Sequence, residues 1–311
     1  MNQIKRIVKN AYWVGLRSLL IPYTKKYLSK SLTIFNFHQI APHFDPKFHS
    51  IATWTSLDFF KRQIYYIKKC FKIISLEEGI QRIESNELNT QYASITFDDG
   101  DISIQQYAIP FLIENKLNAT LFINSAYLDS NKACWFNIFR YLINDNNLKN
   151  IIPAELTTDF LQLRNTDDKN FYQSNTKKIE NLFHNIPKNH KFYINADFLE
   201  NLDIKYIHIG LHGHEHHRFS MLNKEQKIED INNNIQDIKQ YRGYKPFFAF
   251  PFGKPMDCDL DSIKIILDKN LKIFLHNGGI NFNKEILFKR IPSDNQNIKY
   301  LISRNSSIIL I

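Results

Sequence analysis

Ser94-Ile95-Thr96-Phe97-Asp98-Asp99-Gly100-Asp101 is the stretch on which the fold turns. Ile95 and Phe97 alternate with smaller or polar neighbours, as in a buried strand, and the run stops at two adjacent carboxylates and a glycine. Gly100 lets the backbone turn sharply, so Asp98 and Asp99 are expected on the rim of a sheet. Carboxylates side by side repel, and the pair is easiest to sustain when a cation takes one of them or a proton is shared. Taken alone, the stretch reads more readily as an Asp-Gly turn.

Outward from it the chain alternates. Leu32 to His38 is apolar and alternating, a first strand that ends at a histidine, followed by an irregular loop to Trp54. Phe60, Ile64 and Ile67 recur at helical spacing behind Ser56, and Phe71 to Ile74 reads as a short strand. Ser75 with Glu78 resembles a capping box that opens a helix to about Ser85. Beyond the aspartates, Ile102 to Lys116 is expected to be helical despite Pro110, and Ala119 to Ile123 is another buried strand. From Phe136 to about Ile204 the pattern breaks into polar helical segments, read as an insertion over one side of the fold. It resumes with the strand Tyr206 to Leu211, a helix from Lys224 to about Tyr241, the strand Phe247 to Phe250, a helix through Leu267 and the strand Leu271 to Leu275. Strand and helix in alternation imply parallel strands with right-handed crossovers, and in closed barrels the reactive groups gather at the C-terminal strand ends.

A second stretch, His208-Ile209-Gly210-Leu211-His212-Gly213-His214-Glu215-His216-His217, holds five of the eleven histidines in ten residues. A catalytic divalent metal takes neutral imidazoles and a carboxylate and keeps one position open. His212 and His216 with Asp99 would supply that set; the alternative is a solvated histidine-rich loop. Each stretch contributes what the other lacks, and together they favour a metal centre.

The 311 residues are 43% hydrophobic, enough for one barrel-sized domain with an insertion. The net charge of +9 is concentrated at one end. Residues 1 to 30 hold seven Lys and Arg and no acid, leaving +2 for the rest, which argues against a nucleic-acid surface spread across the fold and points at a local electrostatic contact. Cys70, Cys134 and Cys258 show no paired spacing, so neither a disulfide framework nor a cysteine zinc site is expected, and a reducing compartment suits them. Ile4, Ile7, Val8, Ala11, Leu19 and Leu20 approximate one helix face between the cations. Such a helix could lie on an anionic membrane or dock on its own barrel.

Three motifs in register resemble the polysaccharide deacetylases, carbohydrate esterase family 4 with the NodB-homology domain. Thr96-Phe97-Asp98-Asp99-Gly100 is similar to the first motif, Ile209 to His216 to the second, and Phe248-Ala249-Phe250-Pro251-Phe252-Gly253 to the third. Further similarity runs from Phe37-His38 through Ala119-Thr120-Leu121-Phe122 to Arg290-Ile291-Pro292.

The resemblance implies a distorted (β/α)7-type parallel barrel over residues 32–295. A helical insertion occupies about 136–204, a basic amphipathic helix residues 1–31 and a tail residues 296–311. It implies a divalent ion, zinc first with cobalt or nickel as alternatives, on Asp99, His212 and His216. Asp98 would be the general base, the Phe252 N–H an oxyanion donor, and His276 the general acid, with His38 and His217 as runners-up. His38 and Pro251 are placed among substrate contacts.

Three departures stand out. Ala249 replaces an arginine that orients the base, no Asp-Trp motif follows Trp135, and Asn277-Gly278-Gly279 follows His276 where an acidic residue is usual. The expected activity is removal of N-acetyl, less readily O-acetyl, groups from an amino-sugar glycan or lipid-linked saccharide. Its setting would be surface-polysaccharide or lipopolysaccharide assembly, in the cytoplasm or peripheral at the inner membrane face. A catalytically inactive carbohydrate-binding barrel and a hydrolase of another small amide or ester are the competing expectations.

Overall fold

The computed structural model describes residues 30–128, 132–163, 165–282 and 285–297. Its principal strands are β1 (Ser31–Phe37), β4 (Lys72–Ile73), β5 (Gln91–Phe97), β6 (Ala119–Ile123), β7 (Ile207–Leu211), β8 (Tyr244–Ala249), β9 (Lys272–Leu275), β10 (Leu287–Lys289) and β11 (Ile291–Pro292). They pair in the order β10-β9-β8-β7-β6-β5-β1-β11, with β4 on β5, and the pairings are parallel throughout.

Only Arg290 separates β10 from β11, so one extended segment pairs with β9 on one side and with β1 on the other. That segment shuts the sheet. Counted once, it makes the seventh stave of the (β/α)7-type barrel that the alternation predicts, distorted by a register shift between β7 and β8. The loop after His38, expected to be irregular, instead carries a small sheet of β2 (Gln39–Ala41) and β3 (Trp54–Ser56).

Side chains alternate across every strand. Leu32, Ile34, Tyr92, Phe122, Phe247, Phe274 and Phe288 form one buried cluster. Their strand neighbours Phe35, Ile95, Leu121, Phe248 and Ile273 belong to another, beneath the helices. The first cluster fills the barrel, since Phe122 on β6 meets Phe274 on β9 at 5.4 Å across two intervening strands. Gly210 on β7 is what admits that ring, because a Cβ there would lie 2.7 Å from it. Stepping two residues at a time toward the C-terminal strand ends, the inward lines change from apolar to polar. They arrive at Asn36, Asp98, His212, His276 and Arg290.

The helices follow their local signals with two differences. Ser56 and Ser75 cap α1 (Leu57–Cys70) and α2 (Leu76–Glu84) as expected, but only half of the capping box forms, because Glu78 turns forward to Arg82 at 2.8 Å. Pro110 is accommodated by a π-turn over Ile104–Ala108, which resets the hydrogen bonding before α3 (Ile109–Glu114). The β6–β7 crossover contains α4 (Trp135–Asn144), α5 (Ala154–Leu163), α6 (Lys169–Glu180) and α7 (Ala196–Glu200), around a separate core that includes Trp135, Tyr172 and Ile179. The helices α8 (Lys224–Ile238) and α9 (Leu260–Asp268) complete the outer layer.

Among the described residues no helix is long and apolar enough to cross a membrane. Residues 1–29 and 298–311, and with them nearly all of the expected basic helix and tail, lie outside the described residues.

Candidate active site

Asp98 and Asp99 follow β5, at the end of the barrel where the inward lines turn polar. Asp99 has φ of +70°, His216 +54° and Phe252 +61°, a left-handed conformation that side chains adopt only when surroundings enforce it. The other non-glycine residues with positive φ among those described are Asn86, Lys116 and Asn270, each just beyond a helix end, where that conformation is routine, and Asn295, whose residue type tolerates it. Backbone strain is therefore concentrated in the three loops that carry the motifs.

The second-motif loop is held from below. Asp230 of α8 accepts the His214 and Glu215 amides at 2.8 and 3.2 Å, and Asn124 donates to the carbonyls of His212 and Gly213. His212 Nδ1 lies 2.8 Å from the Ala249 carbonyl. A carbonyl only accepts, so the proton is on Nδ1, and in the neutral ring Nε2 presents a lone pair. That atom stands 3.2 Å from Asp99 Oδ1, and His216 Nε2 stands 3.1 Å from the same oxygen. Asp99 Oδ1 is buried without a hydrogen bond.

Carboxylate and imidazole acceptors facing one another this closely call for a positive charge between them. Asp99, His212 and His216 thus fit a divalent ion: the donor set suits zinc, the Ala249 carbonyl orients one ring from behind, and the converging oxygen is orphaned. Burial pushes His216 down, toward the neutral form a ligand needs. Burial opposes the charge on Asp99, but the two imidazoles hold its carboxyl well below the ordinary range.

Asp98 has a different neighbourhood. Arg290 grips it with both arms, Nη1 to Oδ1 at 2.6 Å and Nη2 to Oδ2 at 2.8 Å, and Asn36 Nδ2 donates to Oδ2 at 2.9 Å. Burial alone would raise the Asp98 pKa, but the Arg290 charge, assisted by His212 and His38, holds it well below the carboxylate range. The orienting arginine missing at Ala249 is thus supplied from the barrel-closing segment, 192 residues downstream of Asp98.

Two histidines border Asp98. His38 Nε2 is 3.8 Å from Asp98 Oδ2, while its Nδ1 meets Asp294 Oδ2 at 2.6 Å. Burial disfavours the imidazolium, yet Asp294, with the Asp99 and Asp98 charges, raises His38 to about 9. Burial also pushes Asp294 upward. The shared proton belongs on His38, because the His38 backbone N–H also donates to Asp294, at 2.8 Å, and stabilises the carboxylate.

His276 differs. The Asn36 amide oxygen accepts from Arg290 and Thr96, so its NH2 must point at Asp98 and at His276 Nδ1, 3.1 Å away. A proton on His276 Nδ1 would face that NH2. Burial, then the charges of His38 and Arg290, lower its pKa to about 3. A second set, His38, Asp98 and His276, also has donor atoms within 4.8 Å. Asp98 there already holds a guanidinium and His38 a proton, which leaves a cation little to bind.

The remaining candidates take varied places. Phe252 sets its ring 4.8 Å from that of His216, and Phe136 of the insertion stands 5.1 Å from the same imidazole, forming an apolar wall. Among the described residues no acceptor takes the Phe252 N–H. Pro251 packs under the second-motif loop, 3.3 Å from where a Gly213 Cβ would stand. His217 turns aside to Glu215 at 3.2 Å. Asp101 anchors the first turn, accepting from Gln39 at 2.7 Å and Ser103 at 2.6 Å. Asn36 and Asp294 were not singled out by sequence reasoning, and Arg290 was matched without a role. The period-two line through Leu32, Ile34 and Asn36, or through Phe288 and Arg290, could have found two of them.

Comparison with known proteins places the chain by family and fold. A polysaccharide deacetylase family model matches residues 85–264. Solved structures with the same fold include PplD, a deacetylase from Streptococcus pyogenes, in complex with acetate (TM-score 0.60, 15% identity, 89% of this chain and 99% of that one). A de-N-acetylase from Aggregatibacter actinomycetemcomitans aligns with TM-score 0.59 and 13% identity over 87% of this chain and 99% of that one. IcaB from Ammonifex degensii aligns with TM-score 0.56 and 15% identity over 89% and 97%. Identities this low speak for the fold alone, and no curated protein matches the chain significantly. With the family match spanning more than half of the sequence and its three motifs meeting at one barrel mouth, the chain belongs to the polysaccharide deacetylase family, the NodB-homology group of carbohydrate esterase family 4.

Proposed function

We propose that this protein is a metal-dependent deacetylase that hydrolyses the N-acetyl group of an amino sugar, in a glycan or a lipid-linked saccharide. One observation carries the reading: an orphaned carboxylate oxygen facing two imidazole nitrogens, next to a carboxylate clamped by arginine. A divalent ion held by Asp99, His212 and His216, with zinc the first choice, would polarise the acetyl carbonyl and lower the pKa of a water. Asp98, kept anionic and fixed in place by Arg290 and Asn36, accepts the proton of the attacking water. The Phe252 N–H is free to receive the oxyanion. The C–N bond then breaks, acetate leaves, and the nitrogen must gain a proton.

His38 is the donor the geometry favours over His276. It carries a proton at neutral pH, and Asp294 holds its ring with Nε2 toward Asp98. A cation held by Asp99 would offset the carboxylate charges that raise His38 to about 9 and bring it toward the working range of a general acid. The inactive-barrel reading rested on the missing arginine and the absent Asp-Trp pair, and Arg290 answers the first of these. We extend the proposal to surface-polysaccharide or lipopolysaccharide assembly in a reducing compartment, on the support of three free cysteines.

Acetate release from lipid-linked and polymeric N-acetylhexosamines tests the activity. Release should stop on chelation and return with zinc or cobalt; chelator-insensitive release would refute the mechanism.

A further inference from the structure

A cavity of about 570 Å³ lies in the helical insertion, beside the loop that carries His212 and His216. Lys132, Lys188, Lys191, His184 and His190 line it, and among the described residues no carboxylate does. Lys132 shares its charge with Glu215 at 3.7 Å. Lys188 and Lys191 have no acidic partner within ion-pair distance among the described residues. Lys188 and Lys191, placed at the cavity without such a partner, create a positive potential that an anion relieves.

Residues of the cavity wall contact the catalytic loops at two points. Tyr127 and Tyr193, stacked at 4.8 Å, form part of its wall. The Tyr127 hydroxyl donates to the Glu215 carbonyl at 2.9 Å, one residue before His216. Tyr193 pairs through its backbone with Asp101, two residues after Asp99.

We infer that this cavity is the subsite for a phosphate or diphosphate carried by the sugar to be deacetylated, so that the substrate is an anionic, phosphate-linked N-acetylhexosamine. The inference rests on the deacetylase reading above and narrows its substrate class. Lysines suit phosphate as mobile point charges, and the volume accommodates a diphosphate with an adjoining sugar.

Titration calorimetry with inorganic pyrophosphate at low salt should show binding by the wild type, weakened at least tenfold by Lys188→Ala/Lys191→Ala. Both lysines are exposed, so the double variant should fold. Acetate release is then compared for polyprenyl-diphosphate-linked, nucleoside-diphosphate-linked and neutral oligomeric N-acetylglucosamine. The double variant should lower kcat/KM for a charged substrate at least tenfold relative to the neutral one, through KM. The charged substrate with the greater loss identifies the source of the diphosphate. Equal losses on all three, or no pyrophosphate binding by the wild type, would overturn the subsite. Should no substrate release acetate, the deacetylase reading fails, while the calorimetry still decides the cavity.

Discussion

Asp98 and Asp99 are adjacent and chemically identical, yet the two sides of the barrel mouth treat them in opposite ways. On the Asp98 side a guanidinium and an amide saturate both oxygens, and the charge is balanced by the protein itself. On the Asp99 side the nearest groups are imidazole nitrogens, and an oxygen is left without a hydrogen bond. One carboxylate is complete and the other requires a partner from outside. A strand end that reverses direction at Asp99, with φ of +70°, is what allows neighbouring side chains to face such different surroundings. The difference is what the proposed division of one motif between metal holding and proton transfer requires.

The largest effects should come from removing either carboxylate, and they should differ in kind. Asp99→Ala is expected to lose the metal, measured by elemental analysis, together with turnover. Asp98→Asn should keep the metal and lose 10²- to 10⁴-fold in kcat, the usual scale of a general base. If both variants bind metal equally, the division between the two sides is broken.

Next comes the clamp. Arg290→Met leaves a buried carboxylate unpaired and should destabilise the protein by about 3 to 5 kcal/mol in urea unfolding. The Asp98→Asn/Arg290→Met double variant should recover much of that loss, since no charge is then stranded. The single variant, where folded, should raise the acid limb of the pH-rate profile because Asp98 loses the cation that lowers its pKa.

His38 sharpens the comparison through pH. Its pKa is raised from 6.5 to about 9, so its contribution to stability is full below pH 6.5 and disappears as pH climbs through about 9. The contribution is up to about 3 kcal/mol. Thermal unfolding of the metal-free protein should weaken across that window, and His38→Gln should flatten the dependence. The same variant should remove the alkaline limb of the rate profile, whereas His276→Gln should retain it.

The smallest effect is in the backbone. Phe252→Gly relieves a left-handed conformation and, apart from the lost ring contacts, should recover about 1 kcal/mol. Metal release in a chelator titration should nonetheless become faster, because the wall beside His216 is gone.

Much of this was legible locally. Alternating apolar residues have a period set by the strand itself, so β1, β6 and β7 and the end of β5 could be placed within a residue or two, and helix caps such as Ser56 and Ser75 act within one turn. The loop around β2 and β3 and the closing segment 287–292 escaped, being short and held chiefly by partners distant in sequence. Pro110 was rightly kept within a helical stretch, but the π-turn that accommodates it depends on longer-range packing.

From its own order the chain determined a parallel alternating barrel, the motif-bearing strand ends, and the residue types able to hold a cation, because each of these follows from short-range period and side-chain chemistry. Tertiary closure decided which carboxylate meets which partner. Arg290 reaches Asp98 across 192 residues and Asp294 reaches His38 across 256, and only the sheet shutting on itself brings those pairs within hydrogen-bonding distance. At that junction the carboxylates of Asp294, Asp99 and Asp98 hold a proton on His38 against its burial, while burial keeps His276 bare, an outcome no single strand could specify.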